Sequence, residues 1–248
     1  MRYEERFHVE NGRLHEWKER NGIIIDEARE SRMIAYAELI HETNKKFNIT
    51  GFKTLDDIVA NLILGSIDPL VSMNVPRGTV FADIGTGAGI PGIPLAIFND
   101  NWRGVCIDSN SKKISFVDSV IRDCGIDNLT VVNGRLEEIA RQQMRGVFDY
   151  VFSRALGEIF FVIEVGAPLL KTGGLLYVYY HAAPEELPPA VTEHINEVGL
   201  SLLERKRYHE YGIRENGIVM IKERTTDRTY PRSMKAIKRD IERKIKGV

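Results

Sequence analysis

Apolar and polar positions change rhythm once along this chain, near residue 75. Before it, Met33, Tyr36, Ala37 and Ile40 recur at helical spacing, and Leu55, Ile58, Val59, Leu62 and Ile63 form a second stripe, which predicts a helical N-terminal extension over residues 1–75. Ser72–Gly78 has the Asn, Pro and Gly composition of a linker. After it, strands are expected near 79–84, 104–108, 129–133, 147–153 and 174–180, with helices near 91–99, 111–124, 135–142, 158–170 and 185–198. That alternation predicts a mostly parallel sheet with helices on both faces. Leu202–Tyr208 and Ile218–Lys222 read as a closing antiparallel hairpin joined through Gly212–Gly217, ending a core domain over 76–225. Met234, Ile237, Ile241 and Ile245 then recur at helical spacing, so 226–248 is expected to be a helix that docks one apolar stripe.

Composition narrows the function classes. A chain of 248 residues, 28% charged with net charge −1, is neither disordered nor a polyanion binder as a whole. The charge is local. From Lys222 to Val248 ten Lys/Arg face four acidic residues, which suits either RNA phosphates or a solvated basic helix, and Arg205, Lys206 and Arg207 form a second cluster. Cys106 and Cys124 sit in apolar surroundings, as expected of two buried thiols in a reducing compartment. Met1–Glu10 lacks a signal-peptide core and no apolar run nears the ~20 residues of a membrane span, so a cytoplasmic protein is expected. No metal site is expected, and the oligomeric state is expected to be a monomer.

The densest chemical signal is Phe81–Gly92, an apolar strand ending in Asp83 and followed by a turn with Gly85, Gly87 and Gly89. Glycine tolerates φ > 0 and has no Cβ to hold a ligand off, so such a turn can lie against a nucleotide-like cofactor. Gly87–Gly92 also has the G-x-G-x-x-G spacing of dinucleotide folds, which keeps an NAD(P)-dependent oxidoreductase as an alternative. A dinucleotide brings a pyrophosphate, which the Asp83 carboxylate would repel. S-adenosylmethionine brings no phosphate but a cationic ammonium and sulfonium, which favours an acidic neighbour, directly or through water. A parallel sheet closed by an antiparallel final strand is also the class I methyltransferase fold, a Rossmann-like α/β architecture. Asp108, followed by Ser109, ends the next strand where an acid accepts the hydroxyls of a ribose. Leu136 and Glu137 lie where an adenine would meet the sheet edge, although first-turn helix charge explains Glu137 equally well. Ser153-Arg154-Ala155 ends the fourth strand at the substrate lip, with Arg154 a clamp for the methionine carboxylate or an RNA phosphate. The motifs used on exocyclic amines and pyrimidine carbons are absent, which suits an acceptor that is already nucleophilic, such as guanine N7.

Three segments resemble the bacterial small-subunit rRNA guanine-N7 methyltransferases known as RsmG or GidB. Asn44-Lys45-Lys46-Phe47-Asn48-Ile49-Thr50 is similar to the family's N-K-x-[YF]-N-[LI]-T. Asp83–Pro94 is similar to its glycine loop with the Pro-Gly-Ile-Pro extension, and Ser153-Arg154-Ala155 to its S-R-A. The resemblance implies methylation of a guanine N7 in the decoding region of 16S rRNA with S-adenosylmethionine as donor. It implies cofactor contacts at Gly85, Ile90, Leu136, Glu137 and Arg154, with Asp108 at the ribose; Arg154 is also expected in the catalytic role, and Arg232 and Lys238 at the RNA. The chain departs from the family pattern on the substrate side: Leu62 and Gly65 replace a histidine and an aspartate, Tyr179-Tyr180 replaces Lys-Gly, and Lys235 and Ala236 replace a glycine and a proline. These departures also allow a non-catalytic RNA-binding relative.

Overall fold

A computed structural model describes residues 12–71, 73, 75–142, 144–180, 187–208 and 215–245. Between residues 12 and 71 the described elements are all helical. Helix α1 (Gly12–Asn21) buries Leu14 and Trp17, and α2 (Glu27–Asn44), whose cap residue Asp26 accepts from the Arg29 amide, buries Met33, Ile34, Tyr36, Ala37 and Ile40. A continuous helical stretch follows: α3 (Leu55–Asp57), a π-helical segment (Ile58–Leu64) and α4 (Gly65–Val71). The Asn44 side chain shapes the turn before it, accepting from the Ile49 and Thr50 amides and donating to the Phe52 carbonyl.

The remainder alternates β1 (Val80–Ile84), α5 (Gly92–Phe98), β2 (Arg103–Asp108), α6 (Ser111–Asp123), β3 (Leu129–Asn133), α7 (Leu136–Ile139), β4 (Phe148–Arg154), α8 (Ile159–Gly166) and β5 (Leu170–Tyr180). After these come α9 (Pro189–Glu197), β6 (Leu200–Tyr208), β7 (Glu215–Lys222) and α10 (Met234–Ile245). Seven strands form one sheet in the order β3-β2-β1-β4-β5-β7-β6, with β7 antiparallel to both β5 and β6. This is the Rossmann-like class I methyltransferase architecture. Two apolar clusters cover its faces: one joins the N-terminal helices to α5, α6 and Phe152, the other joins α8 and α9 to Val151, Val178 and Ile237.

Several boundaries differ from the pattern-based expectation. Helix α8 stops at Gly166, a 3-10 turn with Pro168 follows, and β5 starts at Leu170 rather than near 174 because Leu170 already pairs with Phe148. Helix α7 is four residues long. Cys106 is buried but Cys124 is only half-buried. Residues 1–11, the 209–214 connection, the 181–186 start of the expected 185–198 helix, and the side chains of Arg205–Arg207 and Ile241 lie outside the described residues. Among the described residues no helix is long and apolar enough to cross a membrane, and no group of three His, Cys, Asp or Glu is placed to hold a metal ion.

The C-terminal segment is bound into this body by long-range polar contacts. Arg145 donates to the carbonyls of Thr226, Asp227 and Tyr230, and Arg141 to that of Pro231. Glu164, fully buried in α8, then receives the Arg232 amide (2.6 Å), Nε (2.9 Å) and Nη2 (2.7 Å), with His194 Nε2 at 3.2 Å, while Arg232 Nη1 donates to Asp240. Burial alone would raise the Glu164 pKa, but the close His194 ring and the hydrogen bonds from Arg232 outweigh it and hold the group at about 2. Its contribution is therefore complete above the ordinary carboxyl pKa and is lost as pH falls from about 4.5 towards 2. Arg232→Ala would strand the buried carboxylate, and we expect a loss of about 3–5 kcal/mol, read as a clear drop in Tm by calorimetry. Lys238→Ala, on the exposed face of α10, should leave stability within about 0.5 kcal/mol.

Candidate cofactor and acceptor site

The turn between β1 and α5 is built around one buried carboxyl group. Asp83 Oδ2 accepts from the Thr86 hydroxyl (2.6 Å) and the Gly92 amide (2.9 Å), while Oδ1 is buried with no hydrogen-bond partner among the described residues. Burial pushes the Asp83 pKa up to about 7, and the two hydrogen bonds recover only part of that shift. From β2, the Ile107 carbonyl accepts the Gly85 and Thr86 amides (2.8 and 3.0 Å), and Asp108 Oδ2 accepts the Gly87 amide (3.0 Å). From α2, the Tyr36 hydroxyl donates to the Ala88 carbonyl at 2.8 Å. Three separate elements thus fix one turn.

Gly85, Gly87 and Gly89 all have positive φ, at 72°, 57° and 96°, yet their reasons differ. A Cβ at Gly85 would run into Leu156, and one at Gly89 into Ile93, so these two allow the turn to pack. A Cβ at Gly87 would meet nothing closer than Gly85 O at 3.8 Å and Lys113 Nζ at 4.0 Å. This is the place where a ligand can lie against bare backbone.

The other expected cofactor residues lie along the same row of strand ends. Asp108 Oδ1 accepts the Asn110 amide (2.8 Å), and its carbonyl accepts Asn133 Nδ2 and the Gly134 amide, which ties the end of β3 to that of β2. Ser109 is exposed and Ile90 buried. Leu136 and Glu137 open α7, where first-turn amides have no acceptor within the helix. Arg154 ends β4, donating through Nη2 to the Asn61 carbonyl (2.8 Å) of the π-helical segment, with its guanidinium 5.8 Å from the Tyr179 ring centroid. Beside it, Ser153–Gly157, Val162, Val178, Tyr179 and Tyr180 line a cavity of about 210 Å³ that contains neither carboxylate nor imidazole. Arg232 and Lys238 are not brought to this row: Arg232 grips Glu164 and Lys238 stands exposed on α10.

Pattern reading missed four supports: Tyr36, Leu156, the Asn61 carbonyl and Glu164. Glu164 had a visible signal, since it is the only ionisable residue in the apolar run Ile159–Gly166. The others depend on contacts across the fold that no local spacing carries.

Because folded Asp83 holds its proton up to about pH 7 while the unfolded chain releases it near 4, folding loses stability as pH rises through that window. Asp83→Asn keeps an acceptor for Thr86 and Gly92 but cannot ionise. Its Tm should lose this component of pH dependence between about pH 4 and 7, up to about 1.4 kcal/mol per pH unit, in a pH series of thermal melts.

A family model described as "rRNA small subunit methyltransferase G" (GidB) matches residues 29–199. The ribosomal RNA small subunit methyltransferase G of Carboxydothermus hydrogenoformans is 31% identical over 214 residues, covering 85% of this chain and 91% of its own length. That of Syntrophomonas wolfei is 32% identical over 198 residues, covering 79% and 92%. Among solved structures, a SAM-dependent methyltransferase from Aquifex aeolicus shares the fold with TM-score 0.51 at 15% identity, covering 67% of this chain and 93% of its own. The match runs from α2 through the glycine turn and the Arg154 lip to α9, and the chain belongs to the small-subunit rRNA methyltransferase G family.

Proposed function

We propose that the protein transfers a methyl group from S-adenosylmethionine to N7 of a guanine in 16S rRNA of the small ribosomal subunit. The observation that carries the choice of cofactor is the Asp83–Gly92 hydrogen bond. A dinucleotide would set its pyrophosphate on the amides at the start of the helix after the glycine turn. Here the Asp83 carboxyl group already holds that position, which disfavours NAD(P) and leaves a phosphate-free adenosyl cofactor.

When bound, S-adenosylmethionine supplies an electrophilic methyl group on a sulfonium. The chain's own part is binding and orientation. Asp108 receives the ribose hydroxyls with the lone pairs left after Gly87 and Asn110, and Ser109 lies beside it. Leu136 offers its amide and covers the adenine, Glu137 lies at the same edge, and Gly85–Ile90 presents backbone. Arg154 clamps the methionine carboxylate and serves the catalytic role through placement. The cavity next to Arg154 has no group suited to removing a proton, which fits guanine N7, a lone pair ready to attack. Alignment of two reactants can lower a barrier by roughly 7–11 kcal/mol without a general base. Exposed Lys235, Lys238 and Arg239 on α10 engage rRNA phosphates, and Arg232 anchors the helix that carries them.

Calorimetric titration should give S-adenosylhomocysteine binding without NAD binding, and Asp108→Ala should weaken it at least tenfold, about 1.4 kcal/mol. Nucleoside mass spectrometry should show that 16S rRNA from a deletion strain loses an N7-methylguanine, restored by the wild-type gene and not by Arg154→Ala. If every N7-methylguanine persists in that strain, the reaction is wrong. Lys238→Ala should reduce the salt slope of RNA binding by about 0.7–0.9 without altering cofactor affinity.

A further inference from the structure

Ser153 is the residue before Arg154 and registers with Ile84 of β1 and Val178 of β5, which sets it one strand away from the start of the glycine turn. It is 1% exposed, and its Oγ has no hydrogen-bond partner among the described residues. Leaving a buried hydroxyl unpaired costs on the order of 1–3 kcal/mol, so packing alone would favour alanine here. Side chains alternate along strands. Phe152 and Tyr179 therefore join the cluster of the N-terminal helices, while Ser153, Val178 and Tyr180 turn towards α8.

On that side Ser153, Tyr180, Val162, Val178 and Leu156 line the 210 Å³ cavity, with Arg154 and Tyr179 at its edge. The Ser153 hydroxyl, the Arg154 guanidinium and the Tyr179 and Tyr180 rings on otherwise apolar walls suit a planar heterocycle with a polar edge. The volume is below the ~300–1,000 Å³ of sites for larger ligands, which fits a single base rather than a whole nucleotide. At the rim, Ala155 is the only non-glycine residue with positive φ among the described residues, at 53°. Such backbone costs about 1–3 kcal/mol and persists where surrounding structure demands it. Here it belongs to the loop whose next residue, Leu156, packs over Gly85, so one wall of the cavity is shared with the glycine turn.

We propose that this cavity is the acceptor-base pocket: the target guanine stacks on Tyr180 while the Ser153 hydroxyl hydrogen-bonds its polar edge and holds N7 towards the methyl donor. This assignment rests on the rRNA methylation reading above. Ser153 and Tyr180 are substrate-binding residues and serve no part of the cofactor.

The test uses the full chain with Ser153→Ala, Tyr180→Leu and Tyr180→Phe, measuring Tm, S-adenosylhomocysteine affinity and methyl transfer to small ribosomal subunits that lack the modification. For Ser153→Ala the Tm should equal or exceed that of the wild type, since an unpaired hydroxyl is removed, and cofactor affinity should stay within twofold. Its kcat/KM for transfer should fall at least tenfold. Tyr180→Leu should show the same split, and Tyr180→Phe, which keeps the ring, should recover to within threefold of wild type. Transfer at the wild-type rate by Ser153→Ala overturns the pocket. A matching loss of cofactor affinity also overturns it, because the hydroxyl would then belong to the donor side. A wild-type protein that binds S-adenosylhomocysteine yet methylates no subunit overturns the methylation reading and the pocket with it, and that control precedes every variant.

Discussion

The grip of the Asp83 carboxyl group on Thr86 and Gly92 is the constraint around which the site is arranged. An acid in mid-sheet, paired in register with Cys106 and Phe152, is costly to bury, and its hydrogen-bond donors, Thr86 and Gly92, are neutral. Its yield is a closed turn whose first helical amide is already satisfied, so no external anion can take that place. The same contact dictates its neighbours: Gly92 has no room for a Cβ between Asp83 and Cys106, and Tyr36 reaches across from α2 to hold Ala88. The N-terminal helices are thus part of the site, since they cover the side of the sheet on which this acid is buried.

Three buried ionisable groups show how partner chemistry decides what burial does. Asp83 meets neutral donors and its pKa climbs to about 7, whereas Glu164 meets Arg232 and His194 and stays at about 2. Lys222 meets only the carbonyls of Ala167 and Val198 and the Thr226 hydroxyl, and burial drives it down to about 7. The consequence for RNA binding is direct. Lys222 and Arg232 count as cations in the basic C-terminal stretch, but both are committed to interior contacts, so its exposed positive charge rests on Arg224, Arg228 and the cations of α10.

Local periodicity made most elements legible, because a strand or an amphipathic helix writes its spacing into consecutive residues. The helical extension, the βα alternation, the closing hairpin and the glycine turn all followed from it. What stayed hidden depends on residues far apart in sequence. Arg232 reads as one more surface cation until Glu164, 68 positions earlier, is placed beneath it. The division of labour among the three glycines required knowing that Leu156 and Ile93 fill the space over Gly85 and Gly89. Ser153 was visible only as part of a lip motif, because an orphaned hydroxyl is a property of packing.

The departures from the family pattern make physical sense once the sheet alternation is applied to them. Tyr179-Tyr180 stands where the family has Lys-Gly, and adjacent residues of a strand face opposite sides. Tyr179 turns towards the N-terminal helices and donates its hydroxyl to the Ser66 carbonyl, beside Gly65, where the family's aspartate is missing. Tyr180 turns the other way, into the cavity that adjoins Gly85, and puts an aromatic surface where the family pattern has a glycine. One dipeptide therefore serves two faces: Tyr179 braces β5 against the helical extension, and Tyr180 lines the cavity beside the glycine turn.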